Sequence, residues 1–216
     1  MKNSNIAVFL DRDGTINEDV NFLSSPEQLV LIDGSAEAIK EANEIGLKVI
    51  VCTNQSGIAR GYFTEDDLHK IHNRLDELLA EKGAKIDAYY YCPHHPTEGN
   101  GKYKLECECR KPKNGMLKRA SEEHNIDLRR SFVIGDRLYD ILAGKASGAT
   151  TILVLTGYGK EAYEKCKSEN LEPDFIAQNL KEAIEIVKKL ITQGDGGLEN
   201  ANKNLSQSDG KDALEE

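Results

Sequence analysis

The chain has 216 residues, with 28 Lys and Arg against 37 Asp and Glu, a net charge of −9. The acidic balance argues against nucleic acid or an anionic membrane as a bulk partner. No apolar run approaches the roughly 20 residues that span a bilayer, and 39% hydrophobic with 30% charged residues fits a chain that folds around an apolar core. Ile6 to Leu10 (IAVFL) is a short continuous apolar run, as in a strand buried on both faces. Ser35 to Ile45 carries Ala38, Ile39, Ala42 and Ile45 at helical spacing, and Gly46 supplies a stop. Leu47 to Thr53 is a second buried strand. Thr64, with Asp67 three residues on, starts a helix whose apolar face is Leu68, Ile71, Leu75, Leu78 and Leu79, ended by Gly83.

A third strand is expected over Ile86 to Tyr91, a helix over Gly115 to His124, a strand over Ser131 to Ile134 and a helix over Asp140 to Ala146. Thr151 to Leu155, Glu161 to Lys167, Asp174 to Ala177 and Leu180 to Leu190 follow as strand, helix, strand, helix. This alternation implies right-handed crossovers, hence a doubly wound α/β fold with a mostly parallel sheet and helices on both faces. One domain is expected over residues 1–191. Residues 192–216 are acidic and nearly devoid of apolar side chains, so a disordered tail is expected there. The N-terminal MKNSNIAVFL has neither an apolar h-region nor a cleavage site, so a cytoplasmic setting is expected. Five cysteines in such a setting speak against a disulfide framework.

Open parallel sheets bind ligands at the carboxyl ends of their strands. The first strand runs into Asp11-Arg12-Asp13-Gly14-Thr15. Alternation puts the two carboxylates on one side of the chain, where each opposes ionisation of the other. A lone DxD is more often a solvated turn. This one sits at a strand end with Gly-Thr behind it, and Mg²⁺ would relieve the conflict. The motif resembles the DxDGT signature of the haloacid-dehalogenase-like (HAD) phosphohydrolases. The resemblance implies that Asp11 is the nucleophile forming an aspartyl-phosphate, and Asp13 the general acid and base.

Further motifs follow in that family's order. Thr53-Asn54-Gln55-Ser56 ends the second strand and resembles its phosphate cradle, with Thr53 as the phosphoryl-binding hydroxyl. Arg110-Lys111-Pro112 precedes a helix, and Lys111 matches the family lysine that neutralises the phosphoryl oxygens. Lys113 is a rival cation, read as surface. Gly135-Asp136 with Asp140 resembles the acidic GDxxxD motif. Asp136 would complete the Mg²⁺ site with Asp11 and the main-chain carbonyl of Asp13, while Asp140 would support the site from behind or charge the helix N-terminus.

Cys92, His94, Cys107 and Cys109 have spacings that outline a tetrahedral, structural Zn²⁺ site. His95 is the competing ligand, read as a loop residue, and His69 and His72 are read as surface or boundary residues. CPHHPTEG followed by CECRKP is similar to the heptose-bisphosphate phosphatases and their histidinol-phosphatase relatives, in which a zinc loop (here 92–109) stands in place of a large cap. That resemblance implies removal of a 7-phosphate from a heptose 1,7-bisphosphate by a monomer, for nucleotide-activated heptose synthesis. Asp19, Val20, Asn21, Phe22, Asn54, Gln55, Ser56, Arg110 and Arg137 would be its substrate contacts, Arg110 at the distal phosphate. Alternatives are a histidinol-phosphate phosphatase, a nucleotide 3′-phosphatase, disfavoured for want of a basic stripe, and a non-catalytic zinc-stabilised binding module, disfavoured because the whole reactive set is present.

Overall fold

The computed structural model describes residues 4–99 and 101–193. Six parallel strands form one sheet: β1 (Ala7–Leu10), β2 (Lys48–Asn54), β3 (Ala88–Cys92), β4 (Phe132–Gly135), β5 (Thr150–Val154) and β6 (Phe175–Ala177). Their order is β3-β2-β1-β4-β5-β6. The helices are α1 (Ser35–Glu44), α2 (Glu65–Ala80), α3 (Gly115–His124), α4 (Leu138–Ser147), α5 (Gly159–Ser168) and α6 (Leu180–Gln193). The doubly wound parallel architecture read from the sequence is the one observed.

Period-2 alternation sorts the strand side chains into two layers. Val8, Leu10, Val49, Val51, Ile134, Ile152 and Val154 pack with Ile39 of α1, Leu75 and Leu79 of α2, and Ile184 and Val187 of α6. Phe9, Ile50, Cys52 and Val133 meet Leu117 and Ala120 of α3 and Ala143 of α4 on the other face. Leu153 packs there with Ala162 of α5. A side chain buried as fully as Leu75 or Leu79 contributes about 1.5–3 kcal/mol of transfer free energy.

Element ends move by one to three residues from the sequence reading, each for a local reason. Helix α2 begins after Thr64, whose Oγ1 accepts from Asp67 N (3.2 Å) while Asp67 Oδ2 accepts from Thr64 N (3.1 Å). Helix α4 begins at Leu138 because Asp140 sits in its first turn, its Oδ2 accepting from Arg137 N at 3.0 Å. Helix α6 runs on through Thr192 and Gln193. Residues 192 and 193, expected in a disordered tail, are therefore helical, and the rest of that expected tail lies outside the described residues.

Topology positions the site. From β1 the chain winds outward through β2 to β3, then crosses back to β4 on the other side of β1. The crossovers leave β1 and β4 in opposite directions, so their carboxyl ends open a crevice. Asp11 follows β1 and Asp136 follows β4, and Asp11 N donates to Ile134 O at 3.0 Å.

Candidate active site

Three carboxylates converge at this crevice. Asp11, Asp136 and Asp140 are all buried, and one oxygen from each lies within 4.8 Å of the others. The Lys111 ammonium meets two of them, 3.0 Å from Asp11 Oδ1 and 2.5 Å from Asp140 Oδ1. It also donates to the Cys52 carbonyl at 2.6 Å. Its side chain is 2% exposed, whereas that of Lys113 is 46% exposed and pairs with Glu108. Lys111 is therefore the inward cation of the RKPK run. Asn54 holds it there: the Asn54 amide donates to Lys111 O and accepts from Lys111 N, both at 3.1 Å. Asn54 also lines the cleft above the carboxylates, as expected of a substrate contact, while its amide holds the lysine main chain.

Burial raises the Asp136 carboxyl to about 8, with Asp11 and Asp140 adding repulsion. Burial likewise raises Asp140 to about 7, against the opposing pull of Lys111. One lysine does not neutralise three buried carboxylates. Asp136 Oδ2 accepts from Tyr158 N at 2.8 Å, while Asp136 Oδ1 is buried without a hydrogen-bond donor and Asp11 Oδ1 faces the Lys111 ammonium. Uncommitted, mutually repelling carboxylate oxygens fit a hard divalent cation such as Mg²⁺. Two glycines let the walls close on Asp136. A Cβ on Gly14 would stand 2.2 Å from Asp136 Oδ2 and one on Gly157 2.3 Å, and both have left-handed backbone, φ 80° and 52°. Thr156 Oγ1 ties the two loops by donating to Gly14 O at 2.6 Å.

Asp13 stands apart from this trio. Its carboxylate accepts from Arg12 Nε (3.1 Å) and Nη2 (2.9 and 2.7 Å), Asn17 Nδ2 (2.9 Å) and Gln55 Nε2 (3.0 Å). Burial opposes the charge, but the Arg12 guanidinium and these bonds outweigh it and keep the carboxyl below its ordinary range. The Asp13 side chain is committed elsewhere and is no metal ligand in this arrangement, which leaves only its main chain for the role expected at the Mg²⁺ site. Gln55 also donates to Thr53 Oγ1 at 2.9 Å, so it links the hydroxyl to Asp13.

Above these groups lies a cleft of about 180 Å³ lined by Asp11, Asp13, Thr53, Ser56, Arg110 and Tyr139, among others. Asp19, Asn21, Phe22, Gln55 and Arg137 also face it. Arg137 Nη2 pairs with Asp19 Oδ2 at 2.9 Å, and its guanidinium lies 3.3 Å from the Tyr158 ring centroid. Val20, expected beside its neighbours, is corrected: it does not line the cleft and is 41% exposed. Asn21 and Phe22 adopt φ of 60° and 66°, a left-handed turn beside the cleft. Phe22 meets Tyr62 edge-on at 4.9 Å.

Cys92, His94, Cys107 and Cys109 come together as expected from their spacing, with their ligand atoms all within 4.8 Å. Cys92 and Cys107 Sγ are 3.5 Å apart, Cys107 and Cys109 3.2 Å, and His94 Nδ1 lies 3.4 Å from Cys109 Sγ. A tetrahedron with Zn–S of about 2.3 Å has edges of roughly 3.8 Å, so the cluster is compatible with zinc. His95 stays out, its Nδ1 accepting from Glu98 N at 2.9 Å. His72 corrects the sequence reading: it is buried and stacked on Tyr89 at 4.3 Å, and burial, with the charge of Arg12, lowers its pKa to about 3.

The sequence reading missed Arg12 and Tyr139, and it left the Asp140–Lys111 pair unrecognised. For Arg12 one signal existed: extending the alternation of Val8 and Leu10 puts position 12 on their buried face. Tyr139 and the Asp140 pair carried none, since both depend on where α4 starts.

Comparison with known proteins places this site in a family. Residues 108–183 match the HAD-hydrolase-like family model. The chain is 44% identical over 185 residues to D-glycero-beta-D-manno-heptose-1,7-bisphosphate 7-phosphatase of Pasteurella multocida, covering 85% of this chain and 97% of that one. It is 41% identical to the D-glycero-D-manno-heptose-1,7-bisphosphate 7-phosphatase of Chlorobaculum tepidum, over 82% of this chain and 91% of that one. Among solved structures it is similar to D,D-heptose 1,7-bisphosphate phosphatase from B. bronchiseptica complexed with magnesium and phosphate. That match has a TM-score of 0.76 and 32% identity, covering 85% of this chain and 98% of the other. Identity at this level over nearly the full length of these relatives shows that the chain belongs to the heptose-1,7-bisphosphate 7-phosphatase family of HAD-like phosphatases.

Proposed function

We propose that the chain removes the 7-phosphate of D-glycero-D-manno-heptose 1,7-bisphosphate, releasing heptose 1-phosphate and inorganic phosphate. The observation that carries the reading is the buried Lys111 ammonium, 3.0 Å from Asp11, beneath a cleft whose wall holds Asp13. An Asp11 carboxylate oxygen attacks phosphorus and the P–O7 bond breaks. Asp13, held ionised by Arg12 in the free site, takes up a proton when the negative charge of the substrate phosphate enters the cleft, and gives that proton to the departing O7. Asp13 then takes a proton from water, whose oxygen attacks the aspartyl-phosphate and regenerates Asp11. Thr53 and Lys111 hold the phosphoryl oxygens throughout. Asp11, Asp136 and the Asp13 main chain would hold Mg²⁺, which would supply positive charge to offset the repulsion between the phosphate and the carboxylate nucleophile.

Zinc at Cys92, His94, Cys107 and Cys109 has a structural role in this reading, because four protein ligands close its shell. Bound there, it would fix the loop that ends at Arg110, whose Nη1 donates to His94 O at 3.2 Å. Arg110 then faces the cleft as the fork for the second phosphate. Arg137, Asp19, Asn21, Phe22 and Ser56 line the sugar path. The product is an input for nucleotide activation of heptose. The substrate class and the net charge of −9 suit a cytoplasmic enzyme acting as a monomer, and no helix among the described residues is long and apolar enough to cross a membrane.

The test is the Mg²⁺-dependent rate on the α and β anomers of heptose 1,7-bisphosphate beside histidinol phosphate. The heptose substrates are expected to exceed histidinol phosphate by more than about 100-fold in kcat/KM, since a cleft built for a second phosphate leaves Arg110 unpaired without it. A preference for histidinol phosphate would overturn the assignment.

A further inference from the structure

The residue between the two motif aspartates has no part in the chemistry above, yet it is among the most deeply buried charges of the described residues. Arg12 is 0% exposed. A guanidinium this far from water is costly unless paired, and its pairing is concentrated on one group. Nε reaches Asp13 Oδ1 at 3.1 Å, and Nη2 reaches Oδ1 at 2.9 Å and Oδ2 at 2.7 Å. The other end of the residue is equally fixed. The Arg12 carbonyl accepts from Thr15 N (3.3 Å), Ile16 N (2.8 Å) and Asn17 N (3.2 Å). Asn17, itself 0% exposed, returns its side chain to Asp13 Oδ1. The Asp13 side chain is 21% exposed, and it faces the cleft. A buried planar fork thus sets the plane of a carboxylate that looks out on the reaction space.

We propose that Arg12 is a positioning residue for Asp13, setting the direction from which the carboxyl meets the oxygen of the leaving alcohol. The proposal rests on the reading of Asp13 as general acid and base. In the first step the Asp13 O–H bond breaks as the O7–H bond forms, the P–O7 bond breaks and the Asp11 O–P bond forms, so O7 leaves as an uncharged hydroxyl on the sugar. A compact ammonium at position 12 would keep the charge but lose the two-pronged geometry. A role confined to holding the fold predicts equal losses on every substrate. A role in aiming the acid predicts losses that depend on the leaving group, because p-nitrophenolate departs without a proton and an alkoxide does not.

The experiment compares Arg12→Lys and Arg12→Gln with the parent, on the phosphosugar turned over fastest and on p-nitrophenyl phosphate. General acid–base catalysis is worth roughly 10²–10⁴ in rate. Disturbing only its direction is expected to lower kcat on the phosphosugar by about 10- to 100-fold, with KM little changed, while the pre-steady-state burst of p-nitrophenolate falls by less than about threefold. In an Asp13→Asn background, Arg12→Lys is expected to cause no further loss on the phosphosugar. Equal losses on both leaving groups, or an additive loss in the double variant, overturns the proposal. Asp13→Asn alone is expected to discriminate between the leaving groups. If it does not, the acid assignment itself falls, a result distinct from failure of Arg12 alone. Arg12→Gln retains one amide donor in a shorter, neutral side chain, so the comparison stands if Arg12→Lys does not fold, and circular dichroism verifies the fold of each.

Discussion

Replacing Lys111 with methionine probes the centre of the site. The substitution nearly conserves volume and removes one charge. Asp11 and Asp140 lose a partner at 3.0 and 2.5 Å, and the Cys52 carbonyl loses its donor. At an effective dielectric of about 20, each ion contact is worth about 6 kcal/mol before desolvation. Burying the ammonium and its partners takes back several kcal/mol per ion. Removing one member of such a buried set destabilises by about 3–5 kcal/mol, because the remaining charge is left unpaired. For a domain of this length that is a fall in Tm of roughly 6–20 °C. The penalty has a definite pH sign. The Asp140 carboxyl already sits near 7 with the lysine present, and without the lysine it rises. Protonation then relieves the repulsion, so the Tm gap between Lys111→Met and the parent is expected to be wide at pH 8.5 and narrower at pH 6. Thermal unfolding in chelator measures both. A gap under about 1 kcal/mol at pH 8.5, or one that widens as pH falls, would refute the claim that this ammonium offsets the carboxylates.

Other expectations can be checked directly. Asp11→Asn is expected to lower kcat by about 10⁴-fold or more with the fold intact, since it also removes a charge that repels Asp136 and Asp140; phosphate-release assays showing residual turnover above about 1% contradict the nucleophile role. Stabilisation by Mg²⁺ is expected to be larger at pH 8.5 than at pH 6.5. Burial raises Asp136 to about 8 and Asp140 to about 7, so their contribution to metal-free stability is full below about pH 4 and is lost as pH rises through those values. Mg²⁺ competes with those protons, and a Tm increment that does not grow between the two pH values rules this account out. Cys107→Ser removes a direct ligand, where loss of a mere supporting hydrogen bond already weakens metal binding about 10–100-fold. Elemental analysis is expected to find well under one zinc per chain, and retention of one tightly held zinc would show that the ligand set is wrong.

Local rules carried the architecture because they were mutually consistent. Continuous apolar runs such as Ile6 to Leu10 mark strands buried on both faces, and the interleaved 3.6-residue periodicities mark the crossover helices. The cysteine–histidine spacing was equally readable, because two short ligand pairs converge wherever a loop returns to itself. Motif order alone put Asp11, Thr53, Lys111 and Asp136 at the ends of successive elements. Tertiary structure decided which charges face inward. Lys111 and Lys113 are indistinguishable in sequence, and only packing of the loop against Cys52 and Asn54 buries the first. Val20 looks like its neighbours in sequence, yet Asn21 and Phe22 line the cleft and Val20 does not. Arg12 reads as a solvated charge until the Val8–Leu10 alternation is followed into the core, where the cost of burying a guanidinium requires a partner and Asp13 supplies it. Chain-local patterns report periodicity and propensity. The partner of each buried charge depends on residues that can lie more than a hundred positions away, as for Arg137 and Asp19, which only the folded sheet brings within bonding distance.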